Sequence, residues 1–263
     1  MISALTFSLL SFALAAGEID KLDAAKIMER SQDLRLIPRI TAKGTLTTGG
    51  GGKESKTKNF SFSRKLVENG KRNWTLTRFS TPAEIKGQAI LFLERDQDTN
   101  DVFLYLPAYK KTRRVESASQ SSSFMGSSFS YSDISGMHTT DFSHKLLGRE
   151  KCPDAATSTC ARIESTPKSK AVAGRTGYSK LVQWITEPHF QSVKVEFFDA
   201  GGKLLKTMRS KDFKQVSGGK WLALSVHVQE QAQGKTTSLD FRDVETPGDL
   251  ADRLFSQQAL GRD

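Results

Sequence analysis

Few residues in this chain are of a type and spacing that could do chemistry. His138, His144, His189 and His227 lie apart in sequence and do not form a metal-ligand pattern, and Cys152 and Cys160 are the only cysteines. No G-x-S-x-G nucleophile elbow occurs. Asp96-Gln97-Asp98-Thr99-Asn100 imitates the start of a calcium loop. Asp101 occupies the sixth position, where that loop needs Gly, and Pro107 replaces its bidentate Glu, so a hairpin turn is expected instead. These features argue against an enzyme and imply no cofactor or metal. The remaining chemistry is apolar. Residues 117–132 hold nine serines, with Phe124, Met125, Phe129 and Tyr131 among them. A serine-rich segment carrying aromatics makes a poor solid core and suits a surface that touches hydrocarbon.

Trp74, Phe79, Phe92, Phe103, Tyr105 and Met137 extend this set of large or flexible apolar side chains. A dry groove would use them well, because each buried methylene gains about 0.8 kcal/mol. A 16-carbon tail then gains on the order of 12 kcal/mol before the costs of binding. Each of these side chains also fits an ordinary core. Arg113 and Arg114 could hold a lid or meet a lipid head group, or they could simply solvate a sheet edge.

The elements that must position these residues are bounded by length and composition. The 263 residues fit one large domain or two small ones, and 37% hydrophobic content excludes wholesale disorder. Residues 1–16 carry no charge, are mostly apolar and end in Ala13-Leu14-Ala15-Ala16. This reads as a secretory signal peptide cleaved near Ala15 or Ala16, although no Lys or Arg precedes the apolar run. Export to an oxidising compartment follows, and there Cys152 and Cys160 are expected to pair across a loop containing Pro153, Asp154, Ser158 and Thr159. The net charge of +10 favours an anionic membrane surface or an acidic partner. Nucleic acid fits the charge too, but an exported protein rarely meets it.

Residues 18–34 have helical periodicity, with Leu22, Ala25, Ile27 and Met28 interleaved with charges, and Pro38 limits the helix. Residues 40–244 read as strands and turns. Phe60-Ser61-Phe62-Ser63 alternates, as do Trp74 to Phe79, Val193 to Phe197 and Leu222 to Val228. Turns are expected at Gly49 to Gly52, Asp199 to Lys203 and Gln233 to Lys235, and a short helix between Leu250 and Leu260. Two runs, Ala89 to Leu93 and Val102 to Leu106, are apolar without a break. A sheet solvated on one side should alternate, so helices or an apolar cavity must cover the second face.

Phe103-Leu104-Tyr105-Leu106-Pro107, followed by Arg113-Arg114-Val115, resembles the "YLP…R" strand of the LolA-like outer-membrane lipoprotein-sorting family, the group found beside lipid exporters. Residues 124–134 resemble its "GSDFSYEDL" segment, with Ser128 where the family usually has Asp. Val195 to Asp199, Gly219-Lys220-Trp221, Gly234 to Phe241 and Leu254-Phe255 are similar in order and spacing. The resemblance covers residues 17–263 and implies a single domain of mainly β structure with some α (α+β). Its expected architecture is a curved antiparallel sheet forming a half-open β-barrel covered by helices. It also implies a periplasmic carrier for acyl chains of lipids or lipoproteins, working with an inner-membrane exporter of the RND or MMPL type, and it supplies no catalytic residues. The alternative on the same fold is a lipid-sensing regulatory module acting on a membrane-bound anti-sigma factor.

Overall fold

The structure is a computed structural model that describes residues 22–68, 70, 72–95, 100–153, 155–187 and 189–262. The apolar leader at residues 1–16 and positions 96–99 of the calcium-like turn lie outside the described residues. Helix α1 (Ala24–Asp33) buries Ala24, Ile27 and Met28 on one stripe, and the Asp23 side chain caps it by accepting from the Lys26 N–H. Thirteen strands follow: β1 (Arg39–Gly50), β2 (Lys53–Val67), β3 (Arg72–Thr81), β4 (Ala89–Leu93), β5 (Asp101–Leu106), β6 (Lys111–Val115), β7 (Phe142–Cys152), β8 (Ala155–Pro167), β9 (Lys180–Thr186), β10 (Ser192–Phe198), β11 (Leu204–Gln215), β12 (Trp221–Glu230) and β13 (Lys235–Glu245).

All thirteen form one antiparallel sheet in the order β6-β5-β4-β3-β2-β1-β13-β12-β11-β10-β9-β8-β7. The sheet does not close, because β6 and β7 remain its edges. It is strongly curved. β3 and β9 stand fourth and eleventh in that order and would lie roughly 34 Å apart in a flat sheet. Thr75 of β3 and Leu181 of β9 nevertheless line one cavity. One close approach on the inner face needs a glycine: a Cβ on Gly44 would sit 2.1 Å from the Phe60 ring.

The chain between the two edge strands, residues 116–141, crosses the concave face as a plug. It contains helix α2 (Tyr131–Ser135), and a second short helix, α3 (Lys170–Thr176), interrupts the strands later. Both depart from the expectation of strands and turns alone. Each is too short for a clear helical period, but each has a serine cap, Ser130 and Ser169.

The plug is held by a buried latch. Lys206 Nζ lies 2.5 Å from Asp133 Oδ2, with both side chains 5% exposed. Tyr178 donates its hydroxyl to Asp133 Oδ1 at 2.8 Å, and Lys206 also donates to the Ser128 carbonyl at 2.9 Å. Lys235 donates to the Ser127 carbonyl at 3.1 Å, and Thr237 and Ser128 bond through their side chains at 3.1 Å. Burial, then the Asp133 charge, holds the Tyr178 hydroxyl well above its ordinary pKa.

The unbroken apolar runs are explained by two covers. Ile90, Phe92 and Val102 point inward against plug residues Phe124, Phe129 and Tyr131. Ala89, Leu91, Leu93 and Phe103 point outward against Leu250, Phe255 and Leu260 of the C-terminal segment, which ends in helix α4 (Gln257–Leu260). Arg78 pins that segment by donating to the Leu260 and Ala259 carbonyls at 2.9 and 3.0 Å, and Lys65 donates to the Leu250 carbonyl at 2.7 Å.

Cys152 and Cys160 form a disulfide across the β7–β8 hairpin. For a sequence separation of 8, loop entropy assigns the bond about 2.5 kcal/mol. Replacing both cysteines by alanine should lower the unfolding free energy by that order in a urea titration. An unchanged midpoint would show that the bridge contributes nothing.

Candidate functional site

Between the plug, α1 and the concave sheet lies a cavity of about 370 Å³. That size falls within the usual range of ligand pockets. Its walls are mostly apolar. Phe62 of β2 and Met208, Val226, Leu239 and Phe241 of β11 to β13 line one side, and Leu181, Val195 and Phe197 of β9 and β10 another. Met28 and Leu34 of the α1 region and Phe129, Ile134 and Met137 of the plug region complete it. The helix is positioned at both ends. Ile27 and Met28 pack with Ile163 of β8 and Ile185 of β9, and the Leu34 carbonyl accepts from the Trp221 N–H at 2.8 Å.

Two polar clusters interrupt the apolar lining. In the first, His144 bonds Ser165 Oγ at 2.8 Å and the Thr139 carbonyl at 2.9 Å, and Gln183 donates to the same serine at 3.1 Å. Burial lowers the pKa of His144, which keeps the ring neutral near pH 7. In the second, Glu94 is 3% exposed and accepts from the Asn73 backbone N–H at 2.5 Å and from the Asn73 amide at 3.1 and 3.2 Å. His138 Nε2 stands 3.9 Å from Glu94.

Arg64 and Arg35 also line the cavity. The half-buried Arg64 donates to the Arg35 carbonyl at 3.3 Å, while its Nε is sealed from solvent and has no hydrogen-bond partner among the described residues. Burial pushes the Arg64 guanidinium down to about 10; Glu94 opposes the shift and Arg35 adds to it. Arg35 donates its Nε to the Ser31 carbonyl at 3.1 Å. Among the described residues, no carboxylate lies within 4 Å of either guanidinium.

The structure distributes the sequence-derived candidates over four places. Phe129 and Met137 line the cavity. Phe79, Phe92, Phe124 and Tyr131 pack together where the plug meets the sheet, with Phe124 6.5 Å from Phe79, 6.2 Å from Phe92 and 5.5 Å from Tyr131 between ring centroids. Met125 packs at the margin of that cluster. The serine-rich segment therefore does build a solid core. Its serines satisfy the plug backbone, as where Ser127 and Ser123 donate to carbonyls at 2.6 Å.

Trp74, Phe103 and Tyr105 lie on the opposite face of the sheet, beneath the C-terminal segment, and Trp74 meets Phe255 at 6.3 Å. Strand parity separates them from Phe79 and Phe92, since successive side chains alternate faces. Arg113 and Arg114 are exposed on edge strand β6, where Arg114 pairs with Asp101 at 2.5 Å, and neither lines the cavity. Arg64 was legible from the same parity. The alternation of Phe60 and Phe62 continues to it and places a cation on the apolar inner face.

A family model described as "Uncharacterized protein" matches residues 71–262. Among curated proteins, no sequence matches the chain. Solved structures share its fold, three of them as follows. An outer membrane lipoprotein-sorting protein domain from Vibrio parahaemolyticus is 28% identical, with a TM-score of 0.83, over 91% of this chain and 98% of that one. A DUF1329 family protein from Desulfovibrio piger is 25% identical, with a TM-score of 0.82, over 90% and 97% of the two chains. A LolA superfamily protein from Nitrosomonas europaea is 23% identical, with a TM-score of 0.70, over 90% and 99%. No helix among the described residues is long and apolar enough to cross a membrane. The chain belongs to the family matched over residues 71–262, and its fold is the one seen in the lipoprotein-sorting protein domain, the DUF1329 family protein and the LolA superfamily protein.

Proposed function

We propose that this protein is a periplasmic carrier that holds acyl chains of lipids or lipoproteins and passes them between membranes, or to and from an inner-membrane exporter of the RND or MMPL type. The carrying observation is the apolar cavity of about 370 Å³ walled by a curved sheet, a plug and a helix. Its two polar clusters are internally hydrogen-bonded, an arrangement suited to holding a chain without attacking it. The relative named as a lipoprotein-sorting domain supports the reading, as does a net charge of +10, which favours encounter with anionic membrane surfaces.

Binding by burial should follow chain length. Each added methylene should tighten binding about fourfold until the cavity is full. The test is organic extraction of protein purified from its host periplasm, with mass spectrometry of the extract, followed by displacement across fatty acids of increasing length. Intact acyl lipids and a length-dependent affinity are expected. Affinity that ignores length, or extracts holding only hydrolysed products, would reopen an enzymatic reading.

A further inference from the structure

We infer that the cavity selects acyl ligands with an anionic head, the oxyanion being held by Arg64 and Arg35. This inference rests on the carrier reading and names its ligand class. Two guanidiniums line a mostly apolar cavity, and their observed hydrogen bonds end on backbone carbonyls, which carry no net charge. Among the described residues, Arg64 Nε has no hydrogen-bond partner although it is closed off from solvent. The half-buried Arg64 feels the Glu94 charge only from beyond ion-pair distance, and a ligand oxyanion would supply the direct partner that its Nε lacks.

The nearby carboxylates are already engaged. Glu94 accepts three bonds from Asn73, and Asp133 is neutralised by Lys206 and bonded to Tyr178. The lowered Arg64 pKa of about 10, set by burial against the opposing pull of Glu94, still leaves it charged at neutral pH. Guanidinium forks match carboxylate and phosphate oxygens equally well. The head could therefore be a fatty-acid carboxylate or a lipid phosphate.

The experiment measures dissociation constants by calorimetry for dodecanoate, dodecyl phosphate and dodecanol, three heads on one chain. In the wild type, at least one anionic ligand should bind tenfold or more tighter than dodecanol at low salt. Preference for dodecanoate assigns the head to a free fatty acid, and preference for the phosphate assigns it to a phospholipid. Arg64→Met should bring the anion-to-alcohol ratio close to one, and Arg64→Lys should retain part of it. Arg35→Gln, at an exposed side chain whose loss threatens folding less, should lower the ratio independently.

Equal binding of charged and neutral chains to the wild type overturns this inference and leaves the carrier reading standing. A ratio unchanged in both Arg64→Met and Arg35→Gln also overturns it. If dodecanol and both anions all fail to bind, the carrier reading fails and the inference falls with it.

Discussion

Lys206→Ala should destabilise the fold by about 3–5 kcal/mol, the cost of leaving one member of a buried ion pair uncompensated. The geometry supports the upper part of that range. Asp133 is 5% exposed and accepts from Lys206, Tyr178 and the Ser130 N–H, so the substitution leaves a carboxylate in a dry site with only neutral donors. The lysine also sits 5.4 Å above the Tyr178 ring and 5.1 Å above the Phe197 ring, and an alanine reaches neither. In a thermal scan this should lower the midpoint by roughly 10 °C, taking 2–4 °C per kcal/mol for a protein of this size. Pairing Lys206→Met with Asp133→Leu should recover much of the stability, because no lone charge remains. A destabilisation below about 1 kcal/mol for Lys206→Ala would mean that the latch is solvated and does not hold the plug.

The latch also marks what sequence reasoning could reach. Strand alternation made β2, β3, β10 and β12 legible, and turn composition made the β10–β11 and β12–β13 hairpins legible, because both signals are local. The unbroken run at β4 showed that both sheet faces are covered. It did not say by what, since one cover comes from residues 116–141 and the other from residues 250–260. Side-chain type alone marks the candidate groove residues in the sequence, and it is blind to face. Trp74 and Phe79 lie five positions apart on one strand and therefore on opposite faces. The pairing of Lys206 with Asp133 spans 73 residues, and nothing local in the sequence announces it. Phe129 shows the same limit. It lines the cavity, yet it is 4% exposed within the plug core, so Phe129→Glu would test folding before it tested binding.

A cleaner test of the cavity fills it from the sheet side. Ser210 lines the cavity from β11, directly across from Val226 of β12, and is half-buried. It shares a strand face with Met208, so a larger side chain there projects into the space a hydrocarbon would occupy. Ser210→Trp should weaken acyl-chain binding by about a hundredfold. Excluding four methylenes forfeits roughly 3 kcal/mol, and displacing the chain's path through the cavity adds to that. Stability should change little, because the indole enters space that the folded protein does not fill and so escapes the usual overpacking cost of 1–3 kcal/mol. The two readouts are independent: calorimetry with dodecanol for binding, and urea unfolding for the fold. Full-strength binding with an unchanged unfolding midpoint would show that acyl chains sit elsewhere, and the face opposite the plug would become the place to search.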